Sequence, residues 1–174
     1  MDYETRATSR KELRLLATVF RGLFALPVTG PIDPLMLLDK MPDVFGNATY
    51  EIVDRSEMPL NVPAYCIRTE NGDFVIRIAD FVFNGAYSKN SGGYRTHILH
   101  EIIHVFAYKI GFVPIMSRSF KNKSIPSYRS LEWIVKALTG EVLMPYDETV
   151  GMGINELVET YGVSCAAAKI RQTY

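Results

Sequence analysis

The sequence predicts an α+β fold in which a small antiparallel sheet packs on a buried central helix, with further helices at both ends. Apolar residues recur at helical spacing near both ends of the chain, and short strand-like runs lie between them. The segment between Gly93 and Gly111 predicts a helix that is apolar on most of its surface and therefore buried. The 174 residues carry no net charge and 48% are hydrophobic, which indicates one globular domain.

The predicted elements fall into four parts of a single domain spanning residues 1–174. These are N-terminal helices in 1–45, the sheet in 46–80, two helices in 93–145 and a closing helical segment in 150–174. Ser9 begins the first helix through a capping box with Glu12, and Pro27 ends that apolar run. Asp33-Pro34 begins the second helix, because Pro is favoured at the first helical position.

Three short runs predict the strands. They are Tyr50–Val53, Ala64–Arg68 and Phe74–Ile78. Asn71-Gly72 between the last two runs predicts a hairpin with a two-residue turn, and hence an antiparallel pair. The polar, basic segment 117–127 predicts a loop.

The central helix carries the run HEIIH, formed by His100, Glu101 and His104, in a chain with only three histidines. Residues four apart differ by about 40° around a helix, so both imidazoles can reach one ion. Glu101 lies about 100° from His100, where it can touch a metal-bound water without ligating the metal. Polar groups on a buried helix are costly unless something pairs with them. The run therefore predicts a zinc hydrolase, the alternative being core histidines with satisfied hydrogen bonds.

A third protein ligand is expected, because catalytic zinc usually takes three and leaves one position for water. No further histidine follows HEIIH, so a carboxylate from a later helix is the usual substitute. The candidates are Glu132, Glu141, Asp147 and Glu148. A helix predicted over 127–143 places Glu132 at one margin of its buried stripe and Glu141 at the other. Asp147 and Glu148 follow in a less constrained segment.

The run EWIVKALTGEVLMP, from Glu132 to Pro145, resembles the glutamate-to-LMP element of the ImmA/IrrE family of zinc metallo-endopeptidases. Segments 80–104 and 157–171 are also similar to segments of that family, so the resemblance covers roughly residues 64–171. It implies a zincin-like fold and a single metallopeptidase-like domain.

The resemblance also implies the roles of the site residues. In that family a glutamate begins the helix that ends in LMP, and it completes the zinc site. Zn²⁺ is thus the expected cofactor, with His100, His104 and Glu132 as ligands, and it would activate a water and polarise the substrate carbonyl. Glu101 would take the proton of that water and pass it to the leaving amine. The implied substrate is an intracellular protein, such as a helix–turn–helix repressor of a phage, another mobile element or a stress response.

Hydrolysis also needs a donor for the developing oxyanion. Tyr108, one turn beyond His104, is one candidate, and a packing role is its alternative. The other candidates are Tyr94, Tyr128 and Arg129. His97 lies within about 60° of the two motif histidines around the helix, and it is either a group that supports the metal site or a polar residue at the helix start.

The composition bears on partners and compartment. A neutral chain argues against nucleic-acid binding through its own charge. The closing run 157–171 looks like a helix–turn–helix fragment, for which packing or partner docking is favoured over DNA contact. Cys66 and Cys165 are expected to be free thiols.

No secretion signal is evident at the N-terminus, and no apolar stretch approaches the roughly 20 residues that span a membrane. A cytoplasmic protein is expected. Two other functions stay open: a non-proteolytic, metal-containing regulator that binds a repressor, and a nucleic-acid-binding module.

Overall fold

The computed structural model describes residues 2–88, 92–115 and 124–173. These residues form eight α-helices and one three-stranded sheet, so the predicted α+β class is confirmed. The helices are α1 (Arg10–Leu23), α2 (Pro34–Phe45), α3 (Asp80–Ser88), α4 (Gly92–Lys109), α5 (Leu131–Leu143), α6 (Tyr146–Thr149), α7 (Ile154–Tyr161) and α8 (Cys165–Gln172). The strands are β1 (Ala48–Val53), β2 (Ala64–Arg68) and β3 (Phe74–Ala79). Of the loop predicted over 117–127, residues 117–123 lie outside the described residues.

The sheet is mixed, and the prediction of a purely antiparallel sheet is wrong for one pair of strands. Its order is β1-β3-β2, with β2 antiparallel and β1 parallel to β3. Segment 54–63 connects β1 to β2, but β1 does not pair with the strand that follows it. It occupies the far side of β3 instead.

The β2–β3 hairpin forms where Asn71-Gly72 predicts it, but its turn is longer than two residues. The Gly72 amide donates to the Thr69 carbonyl at 2.9 Å, and the Thr69 amide donates to the Asp73 carbonyl at 2.8 Å. A two-residue type I′ turn needs positive φ at both central residues. Within the described residues Gly72 has φ +88°, whereas Asn71 is not among the residues with positive φ. The loop therefore has three residues and ends on a left-handed glycine.

Two helices begin as predicted, and two features of the helices differ. The Ser9 hydroxyl accepts from the Glu12 amide at 3.2 Å to begin α1, and Asp33 accepts from the Leu35 amide at 3.1 Å to begin α2. The helix predicted over 127–143 begins only at Leu131, because residues 127–129 form a separate 3₁₀ turn after Pro126. Helix α3 directly follows β3 and was not predicted, since its nine residues are too few for a clear helical period.

Helix α4 lies at the centre of the domain. It packs against α2, α5 and β2, and its apolar side chains are fully buried, as predicted. The closing segment consists of α7 and α8, joined at Gly162, which has the left-handed conformation common after a helix. Among the residues that the structure describes, no helix combines the length and apolar character needed to cross a bilayer.

Candidate metal site

Helix α4 brings its two motif histidines together. The Nε2 atoms of His100 and His104 are 3.1 Å apart, and the ring centroids are 4.7 Å apart with the planes at 83°. Each side chain is 18% exposed. The spacing of four residues produces this pair, because it puts both side chains on one face of the helix.

Helix α5 supplies the carboxylate of Glu132 to the same point. Its Oε2 lies 3.5 Å from Nε2 of His100, and its Oε1 lies 3.3 Å from Nε2 of His104. Glu132 stands in the first turn of α5, and the two helices pack against each other. The Ser130 hydroxyl fixes the start of that turn by accepting from the Trp133 amide at 3.0 Å. Glu132 therefore lies where the margin of its helical stripe predicts.

The donor set can be tested against zinc by its spacing. Donors held about 2.0–2.2 Å from a tetrahedral zinc lie about 3.3–3.6 Å from one another. The observed separations are 3.1 Å between the two imidazole nitrogens, 3.3 Å from His104 to Oε1 of Glu132 and 3.5 Å from His100 to Oε2 of Glu132. Two imidazole nitrogens and a carboxylate oxygen are also a ligand set that catalytic zinc takes. The three residues fit the ion in both spacing and chemistry.

The charge state of Glu132 suits a cation site. Hydrogen bonds with His100 and His104 hold the pKa of this carboxyl well below its usual range, although burial acts in the opposite direction. The side chain is 46% exposed, so the carboxylate also borders solvent. An ionised carboxylate that faces two imidazoles is an arrangement that binds a divalent cation.

Glu101 is partly buried on α4, beside the two motif histidines. Burial raises the pKa of Glu101, while the two motif histidines oppose the rise and the charge of Glu132 adds to it. A ligand atom of Glu101 lies within 4.8 Å of those of His100 and His104. A raised pKa brings a carboxylate closer to the working range of a general base.

Strand β2 borders the site through Cys66. The backbone of Cys66 hydrogen-bonds to the carboxyl of Glu101, so part of this edge strand faces the site. Burial raises the pKa of the Cys66 thiol to about 12, and the charge of Glu101 adds to the rise. The thiol is therefore protonated near neutral pH. Cys66 and Cys165 are both free cysteines, as expected.

Tyr108 and His97 lie on α4 on either side of the motif. The Tyr108 hydroxyl accepts a hydrogen bond from Arg68 at 2.7 Å, and its ring meets Phe74 edge-on at 5.1 Å. The hydroxyl keeps its own proton for donation. Partial burial and the charge of His100 lower the pKa of His97. These contacts give Tyr108 a packing role and put His97 within the electrostatic range of a motif histidine.

The other candidate oxyanion donors have structural partners. The Tyr94 ring packs so closely on Gly85 that a Cβ there would lie 2.4 Å from it. Arg129 pairs with Glu4 at 2.9 Å. Tyr128 is exposed, and its carbonyl accepts from the amide of Thr8 at 3.0 Å. The Tyr94 ring and the Arg129 guanidinium are thus engaged in structural contacts, whereas the Tyr128 side chain is exposed.

The other candidate ligands are engaged elsewhere. Glu141 is 1% exposed, and its Oε1 lies 3.0 Å from Arg171 and 3.8 Å from Arg14. Asp147 and Glu148 lie on the exposed side of α6. Of the four carboxylates weighed as third ligand, Glu132 is the one that the structure places against the two imidazoles.

Asp2 is a residue near the site that sequence reasoning missed. Its carboxylate accepts from the amide of Glu132 at 3.1 Å and from the hydroxyl of Ser130 at 2.7 Å. The partners are 130 and 128 positions away in the chain. No periodic or capping pattern links residues so far apart, so the sequence carries no signal for this contact.

Comparison with known proteins shows the fold only. No family model matches the chain, and no curated protein matches it. A solved structure described as a Mycobacterium tuberculosis transcriptional regulator is similar, with a TM-score of 0.57 and 14% sequence identity. The match covers 93% of this chain and 46% of the regulator, so this chain spans about half the length of that protein.

Proposed function

We propose that this chain is a zinc-dependent endopeptidase of the ImmA/IrrE type with a zincin-like fold. The observation that carries the proposal is the convergence of His100, His104 and Glu132 at 3.1–3.5 Å, with the partly buried carboxyl of Glu101 beside them. Two imidazoles and one carboxylate are the ligand set of a catalytic zinc, whereas structural zinc sites are usually completed by four protein ligands. The resemblance of residues 132–145 to the glutamate-to-LMP element supports the same reaction.

The chain's residues divide the chemistry between them. His100, His104 and Glu132 would hold the ion, which supplies Lewis-acid activation of a water and of the substrate carbonyl. Glu101 would accept a proton as the water oxygen bonds to the carbonyl carbon. It would then deliver that proton to the amide nitrogen as the C–N bond breaks. Burial of Glu101 suits this exchange, because a raised pKa makes the carboxyl both an adequate base and an adequate acid.

Strand β2 is the element that would bind the substrate backbone. It is an edge strand of the sheet, it packs against α4, and Cys66 at its centre reaches Glu101. An extended peptide can add to such an edge through main-chain hydrogen bonds. A peptide bound there would carry a scissile bond past the metal-binding face of α4.

The proposed substrate is an intracellular protein, and a helix–turn–helix repressor encoded beside this chain is the first to test. The purified chain is stripped with a chelator, reloaded with Zn²⁺ and incubated with the repressor. Mass spectrometry then looks for a pair of fragments whose masses add up to the repressor plus one water. The proposal expects fragments with the zinc-loaded chain and none with the stripped chain.

The matched control is Glu101→Gln, which keeps the size of the side chain and removes the base. Fragments from this variant at the wild-type rate would identify a contaminating protease and would contradict the assignment. A wild-type chain that binds no zinc would contradict the proposal at its first step.

A non-proteolytic regulator is the second candidate. The similar structure is described as a transcriptional regulator, and a metal-containing chain of this fold could act by binding a repressor without cutting it. Co-elution of the intact repressor with the zinc-loaded chain, without fragments, would favour this candidate. A nucleic-acid-binding module would instead give a salt-dependent gel shift. The buried pairing of Arg171 on α8 argues against that role for this cation.

A further inference from the structure

The N-terminal segment forms a strap across the chain segment that follows α4 and the chain segment that precedes α5. We define the strap as residues 2–8. Its main-chain hydrogen bonds on one side run from Leu131 N to Tyr3 O (2.9 Å), Thr5 N to Arg129 O (2.8 Å) and Thr8 N to Tyr128 O (3.0 Å). On the other side Ile115 N donates to Glu4 O (2.7 Å), and the Thr5 hydroxyl donates to Val113 O (2.9 Å).

The strap therefore lies between the chain that leaves α4 and the chain that enters α5. Helix α4 carries His100 and His104, and α5 carries Glu132. Thr5, at the centre of the strap, is fully buried. Hydrogen bonds on both sides of one segment fix the distance between the two segments that it joins. The strap thus sets where the start of α5 lies relative to α4.

Asp2 carries this constraint to the residue that completes the site. Its carboxylate accepts from the Glu132 amide at 3.1 Å and from the Ser130 hydroxyl at 2.7 Å. The first amides of a helix have no partner within the helix, and a carboxylate there satisfies them and favours the helix dipole. The Ser130 hydroxyl in turn accepts from Trp133. The first turn of α5 is thereby held from the strap and from its own cap together.

We propose that Asp2 is a positioning residue for the third metal ligand: the strap orients the first turn of α5 so that the Glu132 carboxylate meets the two imidazoles. This inference rests on the proposed zinc site. Groups that orient a metal ligand typically change metal affinity about 10- to 100-fold when they are removed. Asp2 holds the ligand through its backbone amide, so the lower end of that range applies.

The test measures zinc affinity by competition with a chromophoric chelator. Asp2→Ala should weaken zinc binding about 10-fold, and Asp2→Asn should recover most of the loss, because an amide can keep both contacts. The matched control is Asp54→Ala. Asp54 accepts from the amide of Ser56 at 2.8 Å and from its hydroxyl at 2.6 Å, which is the same pair of donors at a turn outside α4 and α5. Zinc affinity of the control should stay within about two-fold of wild type.

A second comparison separates positioning from a general loss of stability. In a chain that already carries Glu132→Ala, adding Asp2→Ala should not weaken zinc binding further, because the residue through which Asp2 acts is gone. A purely structural role would lower the melting temperature of the zinc-free and zinc-loaded proteins equally. Positioning predicts a smaller zinc-induced rise in that temperature.

The outcomes are distinct. Unchanged zinc affinity in Asp2→Ala, with normal binding by the wild type, would overturn the role of the strap and leave the zinc site standing. The same loss in both backgrounds would also overturn it. A wild-type chain that fails to bind zinc would overturn the site itself, and the inference with it.

Discussion

Replacing Glu132 with alanine tests the proposed metal site most directly. Structural zinc with four protein ligands binds with about 10–16 kcal/mol, or about 2.5–4 kcal/mol for each ligand. The Glu132 side chain is 46% exposed. It is one of three proposed zinc ligands, and the other two are the partly buried imidazoles of His100 and His104. Removing it should therefore weaken zinc binding by roughly 100- to 1,000-fold.

The loss of zinc affinity should appear as a smaller zinc-induced rise in Tm. At a zinc concentration about 1,000 times the wild-type Kd, binding stabilises the folded state by about 4.1 kcal/mol. For a chain of this size that corresponds to a rise of roughly 8–16 °C in Tm. A variant that binds about 100-fold more weakly retains about 1.4 kcal/mol, or a rise of roughly 3–6 °C at the same zinc concentration.

The assay is differential scanning fluorimetry with and without zinc, together with the chelator competition. Glu159→Ala is the control, because Glu159 is an exposed glutamate on α7. Its substitution should leave both the affinity and the thermal shift unchanged. Wild-type zinc affinity in Glu132→Ala would refute the assignment of the third ligand, whatever the activity of the variant.

Three further predictions use the same protein. Glu101→Gln should keep zinc and lose hydrolysis by about 10²- to 10⁴-fold, because the amide keeps the size of the side chain and cannot take up the proton of the water. Hydrolysis by this variant at the wild-type rate would contradict the role of Glu101 as the base. Glu141→Ala should lower the free energy of unfolding by about 3 kcal/mol and Tm by roughly 6–12 °C, because it leaves Arg171 buried without its counter-charge. An unchanged melting curve would show that the Glu141–Arg171 ion pair contributes nothing to stability. At pH 8 a thiol reagent should modify the exposed Cys165 quickly and Cys66 slowly, since burial raises the pKa of Cys66 to about 12. Fast reaction of both thiols would contradict the raised pKa of Cys66.

The parts of the fold that the sequence predicts are those set by local patterns. The capping serine and aspartate of α1 and α2 act within three residues of themselves, so the sequence shows both helix starts. The same holds for the histidine pair, because four positions on one helix determine its geometry. The Asn71-Gly72 hairpin is likewise a short-range feature, and only its loop length differs.

The parts that were missed depend on partners far along the chain. Strand β1 pairs with β3 rather than with β2, and the choice is made by packing that no local pattern encodes. Helix α3 begins at Asp80 directly after its strand and is too short for a clear helical period. The strap at residues 2–8 meets segments more than a hundred positions away, so neither its pairing nor the contact of Asp2 with Glu132 could be read from the sequence.

Helix α5 shows why one glutamate fits a metal site and the other does not. Glu132 and Glu141 are nine positions apart, which is about 900° around the helix and puts them on opposite margins of the buried stripe. Periodicity alone makes them equivalent candidates. Their partners differ, because Glu141 meets the guanidinium of Arg171 from α8, whereas Glu132 meets two imidazoles from α4. A carboxylate beside a guanidinium already has its counter-charge. A carboxylate beside two imidazole nitrogens offers a charged donor, and a divalent cation bound among them would supply its counter-charge.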